Sequence, residues 1–358
     1  MQPGILFITH SSRPVDVERC SLNFLTQRYA DPQRLDRLPE LDQLPAVQAS
    51  DYSSGLSLHR VLQVDGVYRL ERFAHLRTVE RIQQVSALDE QTLLVCLESA
   101  LEVWTFEQPV LELVGDLELA RFSVRRIESS LFAGLHNLVP LDGSRVAVSA
   151  SSADAVLLVD IESDQLEQML RMPDELYGHN YVLNPDSDLQ RNYIGNEQQT
   201  THINHVSRMG SHHLLVSALI PGALGMFDLR DGSYREITRG FIGCHGARIS
   251  SRGEIYFADS CNGNIVWLDQ QGHILRRADL SSRWLHDVQE TLPDLYACSV
   301  ADANVCSIFD LGEGKVVQSV EFPKPQTGLW ARLAGSSREA LGSSTKFISH
   351  FIPTAGGD

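Results

Sequence analysis

Four stretches of this chain align without gaps, and that self-similarity constrains the fold more than any other feature. They are LHNLVPLDGSRVAVSA, INHVSRMGSHHLLVSA, CHGARISSRGEIYFAD and LHDVQETLPDLYACSV. Their second column reads His136, Asn204, His245 and His286. Each is followed by an aspartate that closes an apolar run, at a constant distance: 160−136, 228−204, 269−245 and 310−286 all equal 24. A unit of this length cannot bury its apolar residues alone and must stack on its neighbours. A metal-ligating residue type at one repeated position places a ring of equivalent sites around a common axis.

The unit itself reads as four short strands. After His245, residues 245–250 form the first, and Ser251 to Gly253 turn the chain. Glu254 to Asp259 alternates, Cys261 to Gly263 turn again, and Asn264 to Asp269 is a third strand. Gln270 to Gly272 precede a fourth, HILRRADL. Hairpins of this kind joined by Gly, Asn and Asp make one small antiparallel sheet. About 40 residues per sheet, repeated, specify an all-β propeller. The steps 245−204 and 286−245 are both 41, and a third lands on Thr327. His136 starts an earlier blade. QQVSALDEQTLLVCLE starts another at Gln83, with Glu107 in the aspartate column (107−83 = 24).

Those anchors give five blades. The sixth is expected to be shared: an inner strand from GLWARLAG, with or without EALGSST, and outer strands from GILFITHSS, GLSLHRVLQV and GVYRLERF. Joining the two chain ends in one blade closes the ring and leaves no open sheet edge. Six blades are expected, or seven if the first 80 residues hold a whole one. The chain reads as one domain over 1–358 with insertions at about 14–50 and 171–201. The first opens at Pro14 on a short helix pattern; the second is polar and carries Tyr177, His179, Tyr181 and Tyr193.

First strands line the centre of a propeller, so the ring reads Gln83, His136, Asn204, His245, His286, Thr327. Strand alternation puts His202 on the face of Asn204 and His205 on the opposite one. The expected metal ligands are His136, His245 and His286, joined by His202 or Asn204. Converging neutral imidazoles suit a divalent transition metal, iron or zinc above all. Arg248 is placed to hold a substrate carboxylate. Tyr177, His179 and Asp287 are candidates for acid–base work. The competing account makes the column histidines structural, tying strands together by hydrogen bonds.

Charge narrows the partners. Thirty Lys and Arg against 46 Asp and Glu leave −16, with no basic run. This argues against nucleic acid and against anionic membranes. No stretch approaches the ~18 apolar residues of a membrane span. Six cysteines lack CxxC spacing and most fall in strand-like runs, so buried thiols in a reducing, cytoplasmic setting are expected.

The segment HGARISSRGEIYFADSCNGNIVWLDQQGHILR resembles a blade of the NHL and gluconolactonase/regucalcin type. Gly253, Glu254, Ile255, Tyr256, Ala258, Asp259, Asn262, Ile265, Asp269 and Gly272 carry the likeness. The resemblance implies a propeller scaffold over about 81–325. Gluconolactonases hold one divalent metal through carboxylates and amides. Histidines stand here instead, so lactone hydrolysis does not carry over. His202–Asn204 and the stretch 244–248 also resemble an uncharacterised group of bacterial propellers with histidine at blade starts. To carotenoid oxygenases the similarity is architectural only.

Three functions follow. One is a metalloenzyme acting on a small organic molecule on the axis, a hydrolase, lyase, isomerase or iron-dependent oxygenase. Another is a non-enzymatic propeller that binds a protein or small ligand on its top face. The last is a metal-free enzyme using the histidines as acid and base.

Overall fold

The computed structural model describes residues 4–11, 54–64, 67–78, 82–113, 115–116, 121–183, 186–195, 198–282, 284–301, 303, 305–321 and 351–353. Short strands joined by tight turns build six small sheets. Blade I comprises Ile82–Ala87, Thr92–Leu97, Leu101–Phe106 and Phe122–Ile127. Blade II comprises Leu135–Pro140, Arg145–Ala150, Ala155–Asp160 and Gln165–Arg171. Blade III comprises Ile203–Met209, His213–Ala218, Ala223–Asp228 and Tyr234–Arg239. Blade IV runs from Cys244–Ile249 to Ile274–Asp279, and blade V from Leu285–Leu292 to Lys315–Glu321. The first strands of successive blades lie side by side. The fold is a six-bladed β-propeller, as the repeat implied.

Blade VI closes the ring with both chain ends. Phe351–Pro353 pairs antiparallel with Gly4–Ser11, which pairs with Ser54–Val64 and then Val67–Thr78. This C-terminal strand starts 24 residues past the expected anchor (351−327 = 24). Thr327, GLWARLAG, EALGSST and residues 14–50 lie outside the described residues.

Cohesion comes from apolar layers between neighbouring blades. Tyr256, Ile265 and Trp267 of blade IV pack on Leu285, Val288, Tyr296 and Phe309 of blade V. The Trp267 indole donates to the Tyr296 hydroxyl at 3.1 Å, so the layer buries its polar handle with a partner. Between blades II and III, Ala147, Val156 and Leu158 meet Ile203, Val206, Leu214 and Val216.

The aspartate column has a local explanation. Asp160, Asp228, Asp269 and Asp310 end third strands or sit just past them. Each accepts a hydrogen bond from the backbone N–H two residues on, at 2.8–2.9 Å. These are Asx turns that reverse the chain into the fourth strand. Hydrogen bonds hold Asp160, Asp228 and Asp269 below the ordinary carboxylate range.

Candidate functional site

A β-bulge recurs where each first strand begins. The register breaks between Ile82 and Gln84, opposite Asn137 at Ser149/Ala150, between Ile203 and His205, between His245 and Arg248, and between Leu285 and Asp287. An extra residue in one strand of a pair suspends alternation. Two successive side chains then reach the same side. They line one small cavity, with Gln83, His136, Asn137, Asn204, His205, His245, Gly246, His286 and Asp287 around it. His205 therefore shares the cavity with Asn204, contrary to strict alternation. Open space inside is about 20 Å³, enough for one water molecule.

His136 and His202 form the closest pair, their Nε2 atoms 3.0 Å apart. His202 precedes its strand and has φ +48°, a left-handed conformation that costs a residue with a Cβ about 1–2 kcal/mol. Buried Asp154 holds it there. Oδ1 of Asp154 accepts the N–H groups of Thr201 (2.9 Å) and His202 (2.6 Å) and the Thr201 hydroxyl (2.9 Å). Gln199 sets the ring. Its Nε2 donates to the Ile194 carbonyl at 2.7 Å, which turns Oε1 toward His202 Nδ1. His202 thus carries its proton on Nδ1 and, when neutral, presents a bare Nε2 to His136. His136 has acceptors on both sides, since its Nδ1 is 3.3 Å from the Leu135 carbonyl. A neutral His136 can donate to only one of them. A cation between the two Nε2 atoms, proton or metal, satisfies both rings.

His245 and His286 make a second pair, ring centroids 4.8 Å apart. Nδ1 of His245 meets the Ser260 hydroxyl at 2.8 Å and the Gly243 carbonyl at 3.1 Å. Asn204 bridges two blades: its Nδ2 donates to the Cys244 carbonyl and its Oδ1 accepts from Ser217, both at 2.7 Å. Among the described residues, no group of three or more His, Cys, Asp or Glu side chains is arranged to hold a metal ion.

Arg248 and Asp287 form a buried ion pair at 2.6 and 3.2 Å. The guanidinium also donates to the carbonyls of Val288 (2.6 Å) and Gly246 (3.1 Å), so its donors are directed inward to the protein. Burial pushes the Asp287 carboxyl up, and Arg248 pulls it back toward the ionised form. Gly246 (φ +64°) makes the pair possible, because a Cβ there would overlap Asp287 Oδ1. Burial, then Arg248 and His245, hold His205 well below the usual imidazole range, so that ring is neutral.

Tyr177 and His179 lie elsewhere, on the insertion and away from the cavity lining. The Tyr177 hydroxyl donates to Glu236 at 2.5 Å and lies 2.8 Å from that of Tyr234. His179 Nε2 donates to the Met172 carbonyl at 2.7 Å. Burial pushes both tyrosine hydroxyls up.

Sequence reasoning missed Asp154, Gln199, Asn137 and Gly246. A signal for Asp154 was present. It stands six residues before Asp160, where blades III and IV have Gly222 and Gly263, six before Asp228 and Asp269. Those glycines have φ +57° and +64°, and Asp154 keeps φ +48° without being glycine. A side chain that tolerates left-handed backbone at a glycine position has a task there.

No family model matches this sequence, and no curated protein sequence matches it. Solved structures resemble it in shape alone. A chain from a nidogen/laminin complex aligns with a TM-score of 0.52 and 8% identity, over 74% of this chain and 90% of that one. A streptogramin B lyase gives 0.48 and 9%, over 76% and 80%. Virginiamycin B lyase from Staphylococcus aureus gives 0.47 and 10%, over 68% and 71%.

Proposed function

We propose that this protein is a cytoplasmic enzyme that acts on a small organic molecule at the histidine-lined cavity, with a divalent transition metal, iron or zinc, as cofactor. One observation carries the reading: two imidazoles tied at Nδ1 present their Nε2 atoms to each other across 3.0 Å. Hydrogen bonds at Nδ1 are how metal-bound histidines are oriented, and imidazole suits both ions. The pair fits two coordination positions. With no group of three such side chains converging among the described residues, the others would fall to solvent or substrate. Bound there, the ion would supply Lewis acidity toward a substrate oxygen, or oxidation in the case of iron.

The chain's own residues do the rest. Asp154 and Gln199 orient His202. Ser260 fixes the His245 ring at the cavity wall, where it serves proton exchange with a bound molecule. Hydrolysis, elimination, isomerisation and iron-dependent oxidation all use such a set. The cytoplasmic assignment is supported by Cys244, Cys298 and Cys306, buried thiols outside any disulfide. No helix among the described residues is long and apolar enough to cross a membrane.

Metal analysis of the full chain, purified without a nickel column, tests this. About one equivalent of iron or zinc is expected, falling below about a tenth in His136→Ala/His202→Ala with the fold retained. Less than a tenth in the parent protein would overturn the cofactor and leave acid–base catalysis.

A second reading has its own support. Among the described residues seven large hydrophobic side chains are exposed, and Leu176, Val182 and Tyr193 of these belong to the insertion. A binding propeller would use that surface. Leu176→Asp/Val182→Asp would then abolish partner binding while leaving metal content unchanged.

A further inference from the structure

The second residue of the bulge has a structural task at most seams of the ring. Gln84 Oε1 accepts the Leu138 N–H from the next blade. Asn137 takes both backbone groups of Val206, donating to the carbonyl at 3.1 Å and accepting the N–H at 2.5 Å. At the blade IV–V seam Gly246 cannot reach, and Arg248 reaches the Val288 carbonyl in its place. The same column in blade III holds His205, which faces the Ala247 backbone. The Ala247 carbonyl is already bonded by the Ser207 hydroxyl at 2.7 Å. Beyond this approach to the Ala247 backbone, neither ring nitrogen of His205 completes a well-formed hydrogen bond within the protein, although the residue is 4% exposed and lines the cavity.

An imidazole buried with its nitrogens so incompletely bonded is costly, and a group in the cavity that it lines would supply what the Ala247 backbone does not. A neutral ring needs opposite partners, an acceptor for its N–H and a donor for its bare nitrogen. Hydroxyl oxygen serves either role. A carboxylate has no proton to give to the bare nitrogen, and an ammonium cannot accept from the N–H, so a hydroxyl suits both edges of the ring.

We propose that His205 is a ligand-contacting residue that holds a hydroxyl group in the cavity, water in the resting protein and, in the complex, the hydroxyl end of a substrate whose remainder lies outside this one-water space. The proposal needs the cavity but no metal, so it stands or falls apart from the cofactor.

A crystal structure of the full chain at neutral pH tests the first half. An ordered water is expected within hydrogen-bonding distance of a His205 ring nitrogen. The second half is tested with ethylene glycol, as a crystal soak and in solution through the ¹⁵N ring signals of His205. A diol oxygen should replace the water, with saturable shifts. His205→Asn puts at this seam the amide that works at Asn137, so the variant should keep its melting temperature. It should bind ethylene glycol about tenfold more weakly or not at all. A dry His205 bonded to the Ala247 backbone would overturn the proposal. So would a His205→Asn variant that retains diol at the same place with equal affinity. Water that no diol displaces would overturn the substrate half.

Discussion

The seam between blades II and III and the seam between blades IV and V solve one geometric problem with opposite chemistry. In the first, the Asn137 amide donates to and accepts from the Val206 backbone, so a neutral group closes the gap. In the second, Gly246 vacates the equivalent place and a buried Arg248–Asp287 pair fills it. An amide brings no charge to desolvate. An ion pair must recover the cost of removing two charges from water, and it succeeds only while both members are present. The column is therefore free to vary in chemistry as long as its hydrogen bonds close, which is why an unclosed member such as His205 stands out.

The largest effects should come from the charged seam. Arg248→Met leaves Asp287 as an uncompensated buried carboxylate, and about 3–5 kcal/mol of stability should be lost. Asp287→Ala should cost as much. The double change Arg248→Met/Asp287→Leu should cost clearly less than either, because no lone charge remains. Urea unfolding of the four proteins measures this. Single changes costing under about 1 kcal/mol would mean that the pair is hydrated and that the two seams are alike.

The neutral seam should respond less. Asn137→Ala strands the Val206 N–H and carbonyl, with an expected loss of about 1–3 kcal/mol in the same experiment. Smaller still is His205→Asn, which exchanges the ring for the amide that closes the Asn137 seam; its stability should change by no more than about 1 kcal/mol. A loss from His205→Asn larger than that from Asn137→Ala would reverse the roles assigned to these two members of the column.

How far such a ring can be read from sequence depends on whether the signal is periodic. Strand patterns and turn residues recur every 41 residues through blades III to V, so the fold was legible. The cavity column was legible too, because Gln83, His136, Asn204, His245 and His286 hold one position. Strict alternation then failed at His205, since it cannot register a bulge, which adds a residue without changing composition. The Asp column was visible, but its role was local: a carboxylate closing its own turn repeats as faithfully as one facing an axis. Closure by Phe351–Pro353 was legible as a principle and not as a register, because the last strand is separated from the repeats by a segment that breaks their spacing. Asp154 could have been read as standing where blades III and IV need glycine. Gln199, nonperiodic and inside the insertion, had no such signal; only geometry ties it to His202.

Buried thiols report on whether the seams open separately. Burial pushes Cys306 up to about 12 and holds Cys244 and Cys298 well above the ordinary thiol value, so none forms thiolate in the folded ring at neutral pH. The linkage has a definite sign. A thiol whose folded value lies above its unfolded value of about 8.5 contributes fully below that pH, and its contribution fades as pH rises toward the folded value. Alkaline conditions should therefore weaken the ring, visible as a falling urea midpoint above about pH 8.5. At pH 8, among the described cysteines, half-exposed Cys261 should react first with a thiol reagent, and the buried thiols only through opening. Arg248→Met should speed labelling of Cys298 and Cys306 more than that of Cys96, which packs between blades I and II. Asn137→Ala should favour Cys96 instead. Equal acceleration at every site would mean that the propeller opens as one unit, and then the seams differ in chemistry but not in stability.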